Sequence, residues 1–206
     1  MESVDPSEQV VLVVSAPSGG GKTTLCREFL KAFPGVSFSV SSTTRPPRPG
    51  EVDGKDYRFI STEEFRRKIE EGAFVEWAEN FGHFYGTLAD EVERPRRLGM
   101  DVLLDVDTRG AKSLRARFPE GVFIFILPPS IEVLKERLSH RGSEGTEALR
   151  LRISRAMDEI QESVWYDYLI INEDLRASIE ALKAVYTAEK VRVKRQGRRL
   201  RPFLRE

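Results

Sequence analysis

The sequence predicts an α/β protein in three layers, with helices on both faces of a parallel sheet. Two observations carry this: short β-branched runs that read as strands buried on both faces, and helix-patterned segments lying between them. Parallel neighbours need a crossover after each strand, and the intervening segments are long enough to supply one. Val10-Val11-Leu12-Val13-Val14 is the first such run. A glycine-rich turn follows, then a helix from about Lys22 to Ala32 that Phe33-Pro34-Gly35 closes. Val102 to Val106 reads as a second strand, Val122 to Leu127 as a third and Tyr168 to Ile171 as a fourth. Helical patterns fill Asp107 to Ala116 and Ser130 to Leu138. Asn172-Glu173-Asp174 should start a long helix that runs to about Arg195.

Two stretches break the rhythm. Ser41 to Tyr85 is rich in Arg, Pro, Gly and aromatic residues, with a helical patch from Thr62 to Glu71, and is too long for a plain connection. It is expected to be an inserted subdomain. Arg137 to Arg155 is dense in arginine and holds Gly142 and Gly145, which suits a mobile flap more than core packing.

The totals narrow the class. A chain of 206 residues, 40% hydrophobic, suits one compact domain with an ordinary core. Its 33 basic and 33 acidic residues balance, but the last 18 residues hold 8 Lys/Arg against 2 Asp/Glu. That basic tail reads as a solvated helix end, and no nucleic-acid or membrane partner is expected from it. The single Cys26 excludes an intrachain disulfide and fits a small buried thiol in a reducing compartment. Met1 to Gln9 lacks the basic-then-apolar order of a signal peptide, and no apolar run approaches a membrane span, so a cytoplasmic location is expected.

The turn after the first strand reads Ala16-Pro17-Ser18-Gly19-Gly20-Gly21-Lys22-Thr23, followed by Thr24. This is a P-loop, G-x-x-x-x-G-K-[ST], with alanine in the first glycine position. The glycines let backbone N–H groups converge on phosphate oxygens, and the following helix adds its positive end. Lys22 would bring a flexible point charge to the same oxygens, and Thr23 a hydroxyl to Mg²⁺. The first glycine starts the turn without lining the phosphates, so Ala16 should be tolerated while its φ stays negative.

A P-loop does not identify the acceptor; the insert carries more. Ser41-Ser42-Thr43-Thr44-Arg45-Pro46-Pro47-Arg48-Pro49-Gly50-Glu51 sets two arginines three apart on a proline-stiffened turn, a spacing suited to a dianionic phosphate. Tyr57 and Tyr85 could add hydroxyl donors. Glu76 lies among Phe74, Val75 and Trp77, unusually apolar neighbours for an acid. Asp105 and Asp107 follow a buried strand, where an acid can steady Mg²⁺ or cap the next helix.

Taken with Gly54-Lys55-Asp56-Tyr57-Arg58-Phe59, Phe74-Val75-Glu76-Trp77-Ala78, Tyr85-Gly86-Thr87 and Leu104-Asp105-Val106-Asp107, these motifs resemble guanylate kinase. Their order and spacing agree from Val10 to about Asp174, and the single-domain layout resembles the bacterial enzyme. The resemblance implies a three-layer P-loop kinase fold with a parallel five-stranded core sheet, an inserted mixed GMP-binding subdomain and a helical lid. The corresponding boundaries are core 8–40, 88–136 and 156–195, insert about 41–87, lid about 137–155 and basic tail 196–206. It implies phosphoryl transfer from ATP to GMP with Mg²⁺. Residues 16–24 would bind ATP, and Arg45, Arg48, Tyr57 and Tyr85 the GMP phosphate. Ser41, Glu76, Thr87 and Asp107 would read guanine, and Thr23 and Asp105 would serve the metal. Catalytic charge would come from Lys22, Arg45 and the lid arginines Arg137, Arg141 and Arg152, while Arg150 and Arg155 read better as surface residues.

The guanine assignment has chemistry of its own. Guanine presents N1–H and N2–H₂ on one edge, and a carboxylate can accept both; adenine would leave that carboxylate unpaired. A P-loop kinase of another phosphorylated sugar or nucleotide would lack Glu76 and Thr87 in this arrangement. A non-catalytic scaffold module would have a degraded P-loop, whereas Gly21-Lys22-Thr23 is intact. Arg109 stands where the family often has glutamine, and His83-Phe84 where Asn-Tyr is common.

Overall fold

The computed structural model describes residues 5, 8–80, 82–140 and 146–204, with only the backbone at 140, 146 and 148. Along the chain run β1 (Val11–Ser15), α1 (Lys22–Ala32), β2 (Val36–Ser39), β3 (Ser42–Thr43), β4 (Arg58–Phe59) and α2 (Thr62–Glu70). There follow β5 (Phe74–Asn80), β6 (His83–Leu88), α3 (Ala89–Arg97), β7 (Asp101–Asp105), α4 (Thr108–Arg117) and β8 (Val122–Leu127). The chain continues through α5 (Ile131–His140), α6 (Thr146–Gln161), β9 (Tyr168–Ile171), α7 (Leu175–Lys190) and α8 (Gly197–Leu200).

Five strands form the main sheet in the order β2-β7-β1-β8-β9, and every pairing is parallel. β1 is central because each of its residues is apolar or small and each is buried. Successive side chains leave a strand on opposite faces. Val10, Leu12 and Val14 therefore pack with Leu25 and Phe29 of α1 and Leu182 of α7. Val11 and Val13 pack on the other side with Val92 of α3 and Ala111 and Leu114 of α4. Three layers result, and the C-terminal ends of the strands, where β1 gives way to the glycine-rich loop, open on one edge.

A second, four-stranded sheet has the order β4-β3-β6-β5 and is mixed, with β3 parallel to β4 and antiparallel to β6. Phe65 of α2, fully buried, stacks on Phe74 and Phe84 and ties this small sheet together.

The expected fifth strand is β2, with the sequence Val-Ser-Phe-Ser on the sheet edge, too short and too polar to stand out from sequence. Two expectations need correction. The last long helix stops at Lys190, short of Arg195, and Asp174 is its cap, accepting from the Ala177 amide at 2.8 Å. The basic tail is only partly solvated. Arg195 is 5% exposed and donates to the carbonyls of Glu120 (2.7 Å) and Gln9 (3.3 Å), which pulls the chain back against the core beyond α7.

Candidate active site

The glycine-rich loop joins β1 to α1 at the open edge of the sheet. Gly21 caps α1 at φ 92°, with no side chain bonded to the first-turn amides. Those amides stay available, so the positive end of the helix can receive an anion. A Cβ at Gly21 would collide with the Asn172 side-chain nitrogen, so glycine is required there twice over. Asn172, at the end of β9, donates to the Gly20 carbonyl at 3.0 Å and fixes the loop from below. Asn172, expected at a helix start, is instead a loop clamp, 6% exposed. Ala16 sits at the start of the loop, 7% exposed.

Lys22 opens α1 and reaches back to the sheet. Its ammonium lies 2.5 Å from Asp105 Oδ1 and donates to the Val106 carbonyl at 2.8 Å. Burial alone would pull its pKa down, but the Asp105 charge and hydrogen bond together push it above the ordinary lysine value. The Lys22 charge is thus secure, and Asp105 is its counter-ion. Cys26, one turn further along α1, is 2% exposed, and burial pushes its thiol well up, which removes it from nucleophilic chemistry.

The opposite side of the site is built on the second sheet. Arg45 follows β3 and is 9% exposed. Its Nη2 donates to both Glu51 oxygens at 2.8 and 2.9 Å, and its Nη1 donates to the Pro46 carbonyl at 2.7 Å. Glu51 also accepts from the Arg48 amide at 2.7 Å, which closes the proline-rich turn. The carboxylate thus takes one nitrogen of the guanidinium expected to meet a phosphate. Arg48 itself is exposed, and Tyr57 and Tyr85 meet edge to face at 6.1 Å beside it.

Glu76 lies in β5 directly across from Thr87 of β6 and is only 7% exposed. Burial pushes its carboxyl up to about 7, against hydrogen bonding from Thr87 and aided by the charge of Asp107. The approach of α4 makes this burial possible. A Cβ at Gly110 would sit 2.6 Å from Glu76 Oε2, so glycine lets the helix start close over the carboxylate. Asp107 caps α4, accepting from the Gly110 amide at 2.8 Å, so the capping role is met. Thr87 is fully buried behind Glu76, with its hydroxyl 3.5 Å from that of Ser41.

One cavity of about 350 Å³ gathers both halves. Residues Ala16 to Thr24 line it together with Ser41, Arg45, Arg48, Tyr57, Glu76, Tyr85, Asp105 and Asp107. Of the expected site residues, Thr87, Arg137 and Arg152 do not line this cavity. Arg137, on α5, donates to the Gly19 carbonyl at 3.5 Å, and Arg152, on α6, lines an adjoining cavity. Arg141, Gly142 and Gly145 lie outside the described residues. Arg155 is not the surface residue expected: it donates to Asn80 Oδ1 at 3.0 Å and lines the adjoining cavity too. Glu159, unremarked in the sequence, lines both cavities and accepts from the Ser18 amide at 3.2 Å.

The donor set suits Mg²⁺. An exposed Thr23 hydroxyl and the Asp105 carboxylate are hard oxygen donors, and Mg²⁺ typically takes only one or two protein carboxylates beside substrate phosphates. Among the described residues no group of three or more His, Cys, Asp or Glu side chains could hold a metal alone. No helix among them is long and apolar enough to cross a membrane.

Residues 8–189 match the family model described as guanylate kinase. The chain is 51% identical to a guanylate kinase of Geobacter sulfurreducens over 188 residues, covering 91% of this chain and 93% of that one. A guanylate kinase of Symbiobacterium thermophilum is 48% identical, over 91% and 89% of the two chains. Among solved structures, guanylate kinase from Anaplasma phagocytophilum superposes with a TM-score of 0.77 at 35% identity, over 92% and 90% of the two chains.

Proposed function

The chain belongs to the guanylate kinase family and is a phosphotransferase that makes GDP from GMP with ATP as donor, and from that premise we propose how its residues divide the work. The loop from Ala16 to Thr24 binds the donor phosphates through its backbone amides and the α1 N-terminus. Lys22 carries the main fixed charge. Held by Asp105, it stays protonated across the working pH range and turns to the phosphates when they arrive. Thr23 and Asp105 are the residues that would hold Mg²⁺, which when bound supplies charge neutralisation on the donor phosphates.

The insert holds the acceptor. Arg48, Tyr57 and Tyr85 receive the GMP phosphate together with Arg45, which keeps Glu51 on Nη2 and turns its remaining N–H groups to the phosphate oxygens. Glu76 accepts guanine N1–H and N2–H₂, with Thr87 holding it from behind and Ser41 and Asp107 completing the edge. A carboxyl already strained by burial gains most from two donors, so the base that supplies both is favoured over one that supplies neither.

The transfer needs no general base, because the attacking GMP oxygen is already anionic. That oxygen bonds to the γ-phosphorus as the bond to the β–γ bridging oxygen breaks, and ADP leaves. The residues must cancel repulsion between two anions, exclude water and keep the oxygens in line. Lys22 and Arg45 do this from the two sides, and Arg137, Arg141 and Arg152 add charge from the lid. The lone buried thiol of Cys26 suits a cytoplasmic enzyme.

The observation that carries this reading is the single cavity in which a phosphate loop faces a buried carboxylate and two arginines. The test is ADP release from ATP with GMP, AMP, CMP and UMP in turn. GMP should exceed the others by roughly 100-fold or more in kcat/KM. An equal rate with any of them refutes the acceptor assignment. Lys22→Ala should lower turnover by roughly 100-fold or more with GMP binding retained; full activity would refute the donor assignment.

A further inference from the structure

Helix α6 touches both halves of the site with one face. Arg152, Arg155, Glu159 and Glu162 recur every three or four residues, which places them on one side of the helix. They line a second cavity of about 350 Å³ against Asp107 and Arg109 at the start of α4. Two contacts on this face point to different elements. Arg155 Nη1 donates to Asn80 Oδ1 at 3.0 Å, at the end of β5 in the acceptor insert. One turn on, Glu159 Oε2 accepts from the Ser18 amide at 3.2 Å, in the phosphate loop. Asn80 and Glu159 also line the first cavity, so a ligand that fills it meets both.

We propose that Arg155 and Glu159 are positioning residues that couple the two substrates: Glu159 holds the Ser18 amide while the donor cradle is empty, and GMP, by shifting Asn80 and Arg155, draws it away. This rests on the donor-cradle reading above.

The Ser18 amide belongs to the loop whose N–H groups serve phosphate, and one N–H cannot serve a carboxylate and a phosphate oxygen together. A carboxylate in that place is an anionic occupant that repels an incoming triphosphate. Burial pushes the Glu159 carboxyl up while the Ser18 amide and the charge of Lys22 pull the other way, so the ionised group gains by keeping its donor. Arg155 and Glu159 stand one helical turn apart on the same face, so a movement of the helix at one carries the other with it. ATP then binds tightly only when GMP is in place, and unproductive hydrolysis is limited by the same contact.

The test uses the full chain as wild type, Glu159→Ala and Arg155→Leu, with Lys22→Ala as the control on the cradle. Thermal melts verify that each is folded. Calorimetry measures the Kd of a non-hydrolysable ATP analogue with Mg²⁺, without and with saturating GMP. In the wild type GMP should tighten the analogue by about fivefold or more, the low end of ordinary coupling. Glu159→Ala should bind the analogue tightly without GMP and show less than about a twofold further gain. Arg155→Leu should bind like the wild type without GMP and also lose the gain. A purely structural role would move neither ratio. No gain in the wild type, or a full gain in either variant, overturns the proposal. If Lys22→Ala binds the analogue as well as the wild type, the cradle reading itself fails; weak binding in that control with unchanged coupling in the variants sinks only the coupling.

Discussion

Glu76→Gln should separate stability from selectivity, because the carboxylate is strained in the empty site. Its carboxyl is held at about 7 against an ordinary value of 4.5. At 1.36 kcal/mol for each tenfold change in proton affinity, the ionised form carries a burial cost of roughly 3 kcal/mol in the folded chain. The sign follows from linkage. A folded-state pKa above the unfolded one means full stability below pH 4.5 and a loss as pH rises through about 7. Glutamine has nearly the same shape and never ionises, so the variant should match wild-type stability near pH 4.5. At pH 8 it should exceed it by up to about 3 kcal/mol, a rise of several degrees in Tm for a chain of this size. Guanine, by contrast, loses two charge-assisted hydrogen bonds of about 1.5–3 kcal/mol each, and the glutamine amide points a donor at a donor. In the ADP-release assay kcat/KM for GMP should fall by roughly 100-fold or more, while AMP changes little. A variant that melts no later than wild type at pH 8 refutes the strain. One that keeps its preference for GMP over AMP refutes the role.

The same carboxyl predicts a pH dependence. Below about 7 the empty site takes up a proton that GMP must expel, so KM for GMP should rise by up to roughly tenfold per pH unit from 7 downward. Glu76→Gln should flatten that profile, and a wild-type KM constant from pH 5.5 to 8 would contradict it. Glu51→Gln removes the charged partner of a mostly buried Arg45; about 1–3 kcal/mol of stability should go, with a higher KM for GMP from a misplaced guanidinium. An unchanged KM would show that Glu51 does not position Arg45. Asn172→Ala frees the Gly20 carbonyl, and KM for ATP should rise several-fold for about 1–2 kcal/mol of lost stability; an unchanged KM for ATP would show that the clamp does not shape the loop.

The core was legible because its signals are local. Val10 to Val14 and Val122 to Leu127 are apolar at every position, which only a strand covered on both faces requires. Val36 to Ser39 escaped notice because an edge strand needs less apolar surface and alternates over just four residues. The glycine-rich loop was equally legible, since glycines, Lys22 and the strand and helix around them are contiguous. The residues that tune the site were not. Glu159 meets Ser18 across 141 positions and Asn172 meets Gly20 across 152, and nothing in either neighbourhood marks the contact. Glu51 lies inside a motif that was read, yet its role depends on how the proline-rich turn folds Arg45 back onto it. Arg155 looked like one more solvated charge on an arginine-rich helix until β5 brought Asn80 against it.

The assignment of the acceptor to the insert is tested most directly by a crystal structure of the full chain with GMP alone. Guanine N1 and N2 should lie within hydrogen-bond distance of the Glu76 carboxylate, about 2.7–3.2 Å, with the phosphate on Arg45, Arg48, Tyr57 and Tyr85. A GMP phosphate seated on Gly19 to Lys22, or a base turned away from Glu76, would contradict it.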